Sequence, residues 1–359
     1  MAKDFFDAVY GCIIGAAIGD AMGAPVEGWY ANEIKEKYGK LDRLIKYSNV
    51  AYSKGEPGTI TDDSTLRHYL CYSIIQKGSR VTPDDFAKVW YEKVNINRLA
   101  INDKLIYWKV QKGLSPWDIG VGNLPSNGCC MAMSPLGIIN AGDPETAYQD
   151  GFTVGSLLGE GSHRDAAGVV AAGTAAALIP GATAESIIEK MIEVSAYINK
   201  RTIIIGMELA KSSRNIDEFV TKFYEKMLNW QSPDRKWSLE HYFCGSALES
   251  LPAVCGILYL CKGDVNQCII EGANFGRDCD TIATLAGGFA GALQGASAIK
   301  KEWIETCEKV NDDFFEELEG DKKANFYSTS QRLVDVFKKQ KAIINERNKQ
   351  IEELLSYKK

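Results

Sequence analysis

Two acidic tetrapeptides, Thr61-Asp62-Asp63-Ser64 and Asp278-Cys279-Asp280-Thr281, stand far apart in the chain, each directly ahead of an apolar run. Leu66, Leu70 and Ile74 follow the first at helical i, i+4 spacing, and Leu285, Phe289 and Leu293 follow the second in the same way. Carboxylates crowded this closely repel one another unless protons or cations neutralise them. A fold that unites the clusters therefore has to supply positive charge. Hard oxygen donors without a neighbouring His or paired Cys suit Mg²⁺, Mn²⁺ or Ca²⁺ rather than zinc. Brought together, the four carboxylates would hold two divalent cations. Either cluster alone has a plainer reading as a helix N-cap, where Ser, Thr and Asp are favoured.

Most of the chain reads as helix. Gly11, Gly15 and Gly19 share one face of a helix over residues 4–19, and that bare face admits another helix closely. Further helical patterns cover 84–94, 144–158, 165–178, 184–197, 215–229 and 247–261, while sustained period-two alternation is scarce. Gly/Pro-rich stretches at 54–58, 113–128 and 159–165 read as loops. From Trp303 onward the chain turns charged, with an imperfect apolar stripe through Leu333, Val336, Phe337, Ile343, Ile344, Ile351, Leu354 and Leu355. That stripe fits packing on the chain's own body or on a second copy. The economical expectation is an all-α, compact multi-helix single domain over 1–302 with a charged helical C-terminal extension over 303–359.

A formal charge of −6 and the lack of a basic stripe argue against nucleic acid as a partner. The ten cysteines form no C-x-x-C pair and lie mostly in apolar stretches, as reduced thiols of a cytoplasmic protein would. Val9–Ile18 superficially resembles a signal-peptide core, yet Asp4 and Asp7 sit where basic residues belong. The apolar run Thr281–Ile299 carries Gln294, Ser297 and Thr284, which suit a buried helix better than a membrane span. No membrane partner is expected. Neither a G-x-G-x-x-G after a strand nor a P-loop is present.

The segment Gly11-x-x-x-Gly15-x-x-x-Gly19-Asp20-Ala21-x-Gly23-x-Pro25-x-Glu27 resembles the opening motif of the ADP-ribosylglycohydrolase family. The resemblance continues at Thr61-Asp62-Asp63-Ser64, Asp118-Ile119-Gly120, Asn127-Gly128-x-x-Met131 with Pro135-Leu136-Gly137, and Ser162-His163-x-Asp165. It closes on Gly276-Arg277-Asp278-Cys279-Asp280-Thr281 and the small-residue helix behind it. These signals are collinear over roughly residues 8–298, which makes chance similarity improbable.

The resemblance implies an all-α fold with a dinuclear metal cleft, usually of Mg²⁺ or Mn²⁺. It implies ligands from Thr61, Asp62 and Asp63 on one side and from Asp278, Asp280 and Thr281 on the other. Glu27 matches a glutamate on a mobile loop near substrate or metal, and a carboxylate there would take a proton from a metal-bound water. With Asp62 and Asp280 it makes the expected catalytic set. Asp118 and His163 match substrate-facing residues, and the loop through Asn127 and Gly128 would offer backbone N–H groups to a diphosphate. His68 and His241 read as structural. The chain departs from the family pattern at Ala132, where arginine is frequent, at Cys279 and Ser64, and in a longer segment over 199–240.

The implied activity is hydrolysis of an N- or O-glycosidic bond to ADP-ribose, with modified protein as substrate and arginine as the favoured acceptor. A small ribosyl compound or nucleoside is the alternative substrate on the same fold, and a non-catalytic binding protein the third reading. A homo-oligomer is compatible with the C-terminal stripe.

Overall fold

The computed structural model describes residues 4–49, 53–228 and 245–357. His241, Cys244 and the end of the longer 199–240 segment lie outside the described residues. The first half of the described chain forms α1 (Phe5–Gly23), α2 (Ala31–Tyr38), α3 (Asp62–Lys77), α4 (Pro83–Glu92), α5 (Ile101–Gln111), α6 (Gly128–Met131), α7 (Ser134–Ile139), α8 (Pro144–Val154) and α9 (Gly161–Ala177). The second half forms α10 (Ala184–Val194), α11 (Tyr197–Lys211), α12 (Ile216–Phe223), α13 (Ala247–Leu260), α14 (Val265–Asn274), α15 (Cys279–Gln294), α16 (Lys301–Val310), α17 (Asp312–Glu319) and α18 (Phe326–Ser356). A small antiparallel hairpin, β1 (Tyr47–Asn49) with β2 (Ser53–Gly55), pairs Tyr47 with Gly55 and is the only sheet among the described residues. The protein is all-α and forms one compact body, as the periodicity led us to expect.

The glycine spacing in α1 sets the centre of the fold. A Cβ on Gly11 would lie 2.3 Å from the carbonyl oxygen of Gly291, and one on Gly15 2.6 Å from that of Gly287. The same construction on Gly19 meets the Ala283 carbonyl at 2.2 Å, and on Gly23 the Asp280 Cα at 2.3 Å. As the number rises along α1 it falls along α15, so the two helices run antiparallel with their backbones in contact. Phe5–Val26 is long and apolar enough to cross a membrane, and its apolar character is accounted for by burial in this core.

Several boundaries move. α9 begins at Gly161, so the stretch expected as a loop to 165 is helical from there on and carries His163 and Asp165 on its first turn and a half. The pattern read as one helix over 184–197 breaks at Ser195 and Ala196, both extended, before α11 starts. α5 and α14 lie outside the helical ranges read from the sequence, and their inner faces (Ile106 and Val110; Val265, Cys268, Ile269 and Ala273) meet the core.

The charged segment after Trp303 divides in two. Trp303, Cys307, Phe314, Phe315, Phe326, Leu333 and Val336 are buried in the same core as α1 and α3. Glu308 ties the segment down by accepting hydrogen bonds from the Tyr10 hydroxyl at 2.8 Å and from the backbone of Phe326 and Tyr327 at the start of α18. Beyond Gln340 the helix runs on with every residue from 341 to 357 exposed. All nine described cysteines are free thiols and eight are buried.

Candidate active site

The antiparallel contact of α1 with α15 puts the end of one helix beside the start of the other. Asp20, in the last turn of α1 and wholly buried, reaches the start of α3 instead of its own helix. Its carboxylate accepts the Thr61 N–H at 3.1 Å, the Ser64 N–H at 3.0 Å and the Thr61 hydroxyl at 2.7 Å. Asp20 thus supplies the N-cap of α3 from elsewhere in the chain, and no residue of the first cluster has to do so. Thr61 gives its hydroxyl proton to Asp20 and is not among the residues lining the carboxylate cleft, and the following carboxylates are not needed as caps. Asp63 accepts the Thr281 hydroxyl at 3.2 Å through Oδ2, while its buried Oδ1 has no hydrogen-bond partner.

The second cluster is held by a strained turn. Gly276 and Arg277 both take positive φ, +81° and +60°, and only the first is free of a Cβ penalty. The turn is fixed from two sides. Gly28 N–H donates to the Arg277 carbonyl and Arg277 N–H to the Trp29 carbonyl, at 2.6 and 2.5 Å, which ties the Glu27 loop to this turn. The Arg277 guanidinium makes a bidentate, buried ion pair with Glu249 of α13, at 2.5 and 3.0 Å. Cys279 turns its thiol toward the Gly23 carbonyl, so Asp278 and Asp280 face the same side. Asp278 accepts from Asn127, whose amide also donates to Ser250. Oxygens of Glu27, Asp278 and Asp280 lie within 4.8 Å of one another.

Glu27, Asp62, Asp63, Asp278, Asp280 and Thr281 line one cleft of about 260 Å³, together with Asn127, Gly128 and Met131. Burial first, then the charges of the neighbouring carboxylates, push Asp63 and Asp280 well above the usual carboxylate range. Asp278 is raised as well, chiefly by burial, against the opposing hydrogen bond from Asn127. Such a set is costly unless protonated or cation-bound. The unpartnered Asp63 oxygen and the all-oxygen donor set fit a hard divalent cation.

One further carboxylate belongs to the cleft and had no motif to announce it. Asp103, on the first turn of α5, is buried, lines the cleft and has its pKa raised well above the usual range by burial and by the charge of Asp62. Asp20 stood inside the quoted glycine motif, but nothing in its spacing showed that it would cap α3.

Two expected substrate residues are placed elsewhere. Asp118 is exposed in a turn whose carbonyl accepts the Val121 N–H, and it does not line the cleft. His163 is 7% exposed and also outside the cleft lining, with burial lowering its pKa and its carbonyl accepting the Cys129 thiol. The backbone N–H groups of Val121, Gly122, Asn123 and Asn127 are engaged within the protein, Gly122 with the Glu160 carboxylate. The loop before Gly128 therefore does not present those groups to a diphosphate. His68 is buried in T-shaped contact with Phe314, Phe315 and Phe326 and is not part of the cleft lining.

A family model described as ADP-ribosylglycohydrolase matches residues 1–342 of the chain. Uncharacterized protein YegU of Escherichia coli strain K12 is 26% identical over 317 residues, which cover 84% of this chain and 92% of that protein. The ADP-ribosyl-(dinitrogen reductase) glycohydrolase of Rhodospirillum rubrum is 23% identical over 303 residues, 83% of this chain and 89% of that one. Among solved structures, an ADP-ribosylglycohydrolase-related protein complex matches with a TM-score of 0.64 at 19% identity, over 94% of this chain and 99% of that chain. At that identity the last match speaks to the fold.

Proposed function

The chain belongs to the ADP-ribosylglycohydrolase family, a family of hydrolases acting on glycosidic bonds, and from that premise we propose that it removes ADP-ribose from arginine side chains of modified proteins with the help of two Mg²⁺ or Mn²⁺ ions. The observation that carries this reading is the convergence of Glu27, both Asp pairs and Thr281 on one cleft. Asp62, Asp63, Asp278 and Asp280, with Thr61 and Thr281, would hold the ions. When bound, these would orient ribose hydroxyls and bring the pKa of water toward neutrality.

The remaining roles fall to side chains around them. Glu27, half-buried at the end of a short helical turn, positions the attacking water and accepts its proton. Asp103, whose pKa is raised by burial and by the charge of Asp62, would serve as the acid toward the leaving group, as glycosidase acids with raised pKa values do. The cluster of carboxylates faces the positive charge that develops on the ribose ring of an oxocarbenium-like transition state. Asn127 holds Asp278 in line through its amide.

The surface beside the cleft supports a protein substrate. Ile101 lines the cleft and is 83% exposed, and Leu105 and Trp108 continue the same face of α5 at 45% and 54% exposed. Exposed apolar side chains in a row beside a cleft support a docking role for this face. Ala132, where the family frequently has arginine, is buried and outside the cleft lining.

Hydrolysis of an ADP-ribosyl-arginine protein with Mg²⁺ or Mn²⁺ tests the reading, with a chelator and Asp280→Ala as controls. Metal-dependent release that vanishes in the variant supports it, and metal binding without release removes arginine as the acceptor. A Trp108→Ala variant is expected to raise KM for the protein substrate and leave turnover of a small ADP-riboside unchanged. Equal effects on both would remove the docking role of α5.

A further inference from the structure

Behind the metal cleft, on the far side of Met131, lies a second and much smaller cavity. Arg67 of α3, Ser134 of α7 and Thr284 of α15 line it, and Ala16, Val170 and Phe289 close it with apolar surface. Its volume of about 10 Å³ is room for one sphere of water size.

Arg67 is wholly buried, which for a guanidinium demands a counter-charge or a full set of acceptors. It makes one hydrogen bond, from Nη2 to the Ser64 hydroxyl at 3.0 Å. Its Nε and Nη1, the Ser134 hydroxyl and the Thr284 hydroxyl are all buried without a partner. The nearest carboxylates do not satisfy it. Asp20 directs its oxygens to Thr61 and Ser64, and Asp63 accepts from Thr281. They influence Arg67 through space only.

Two N–H groups of the Arg67 guanidinium and two hydroxyls, all unpartnered and all able to donate, thus belong to residues that line one hole of single-atom size. We propose that this cavity is a binding site for one monatomic anion, a halide such as chloride, held by Arg67, Ser134 and Thr284. A halide accepts every one of these hydrogen bonds and needs to return none. A water molecule there could donate to the Ser134 and Thr284 hydroxyls, but it would leave the buried guanidinium without a counter-charge, which a halide supplies. A sulfate or phosphate exceeds the space. The site is separate from the cation-binding carboxylates and does not depend on the reaction they carry out.

Two measurements test it. Crystals grown in bromide and measured at the bromine absorption edge should show an anomalous peak within hydrogen-bonding distance of Arg67, Ser134 and Thr284. A peak there supports the site, and an ordered water without anomalous signal overturns it. In solution, chloride titrated against gluconate at constant ionic strength should raise Tm saturably. Thr284→Val and Ser134→Ala should each shift the half-saturating chloride concentration upward about tenfold or more, the scale of one hydrogen bond to a charged group. Arg67→Met should abolish the response, and if that variant fails to fold the two conservative ones decide. A wild-type Tm indifferent to chloride, or an identical response in wild type and Thr284→Val, would sink the proposal.

Discussion

At the scale of single residues, the cleft depends on groups that do not line it. Glu249 is one. It neutralises Arg277, which sits at positive φ immediately before Asp278. Removing one partner of a buried ion pair leaves an uncompensated charge, at a cost of about 3–5 kcal/mol. Glu249→Ala is therefore expected to lower the urea-unfolding free energy by that amount and to weaken metal binding by loosening the turn. An unchanged unfolding midpoint would contradict this. His68 makes a second case. Burial, then the charge of Arg67, pushes its pKa down to about 3, and its Nδ1 lies 2.7 Å from the Ser64 carbonyl. The unfolded chain takes up a proton at this residue below roughly pH 6.5, and the folded chain does not. Its contribution is complete above that pH and is lost as pH falls toward 3. Between pH 6.5 and 5 the wild type should lose about 2 kcal/mol that a His68→Leu variant does not. Parallel pH profiles for the two proteins would show that His68 is not the titrating group.

At the scale of elements, the contact of α1 with α15 is the joint on which the site turns. The two acidic clusters meet because Gly19 and Gly23 let the end of α1 lie against the start of α15. Gly19→Val has nowhere to place its side chain, since a single Cβ would already lie 2.2 Å from the Ala283 carbonyl. Overpacking of a tight core costs typically about 1–3 kcal/mol and occasionally more. The variant should be destabilised by at least that much and should lose metal affinity together with stability, because separating the helices moves Asp280 from Asp63. Thermal unfolding and metal titration on the same sample check both. The far end of α18 lies at the opposite extreme. Residues 341–357 are exposed throughout, and the family match ends at residue 342. Deleting 343–359 should leave the Tm of the body within a degree or two, since surface segments without buried contacts contribute little. A large drop in Tm would mean that the arm is packed in solution.

At the scale of the whole molecule, the buried carboxylates store electrostatic repulsion that cations would relieve. A ligand that binds the folded chain alone stabilises it by about 2.7 kcal/mol at one hundred times its dissociation constant. Mg²⁺ or Mn²⁺ should raise Tm, a chelator should reverse the rise, and Asp63→Asn should abolish the response while sparing the apo fold. An apo variant more stable than the apo wild type is the expected sign of relieved repulsion. Much of this was legible in the residues. The two acidic clusters, the glycine face of α1 and the helical periodicity are local patterns, and local patterns are what a linear chain displays. The sequence by itself determined that the fold is helical, that one helix lies bare against another, and that crowded carboxylates need cations. It did not show that Asp20 caps α3, that Asp103 enters the cleft, that Glu249 neutralises Arg277, or that Asp118 and His163 stand outside the cleft lining. Those relations join positions with no spacing rule between them. Only close packing of the helices decided them, because burial obliges each polar group to find whichever partner the core brings within reach.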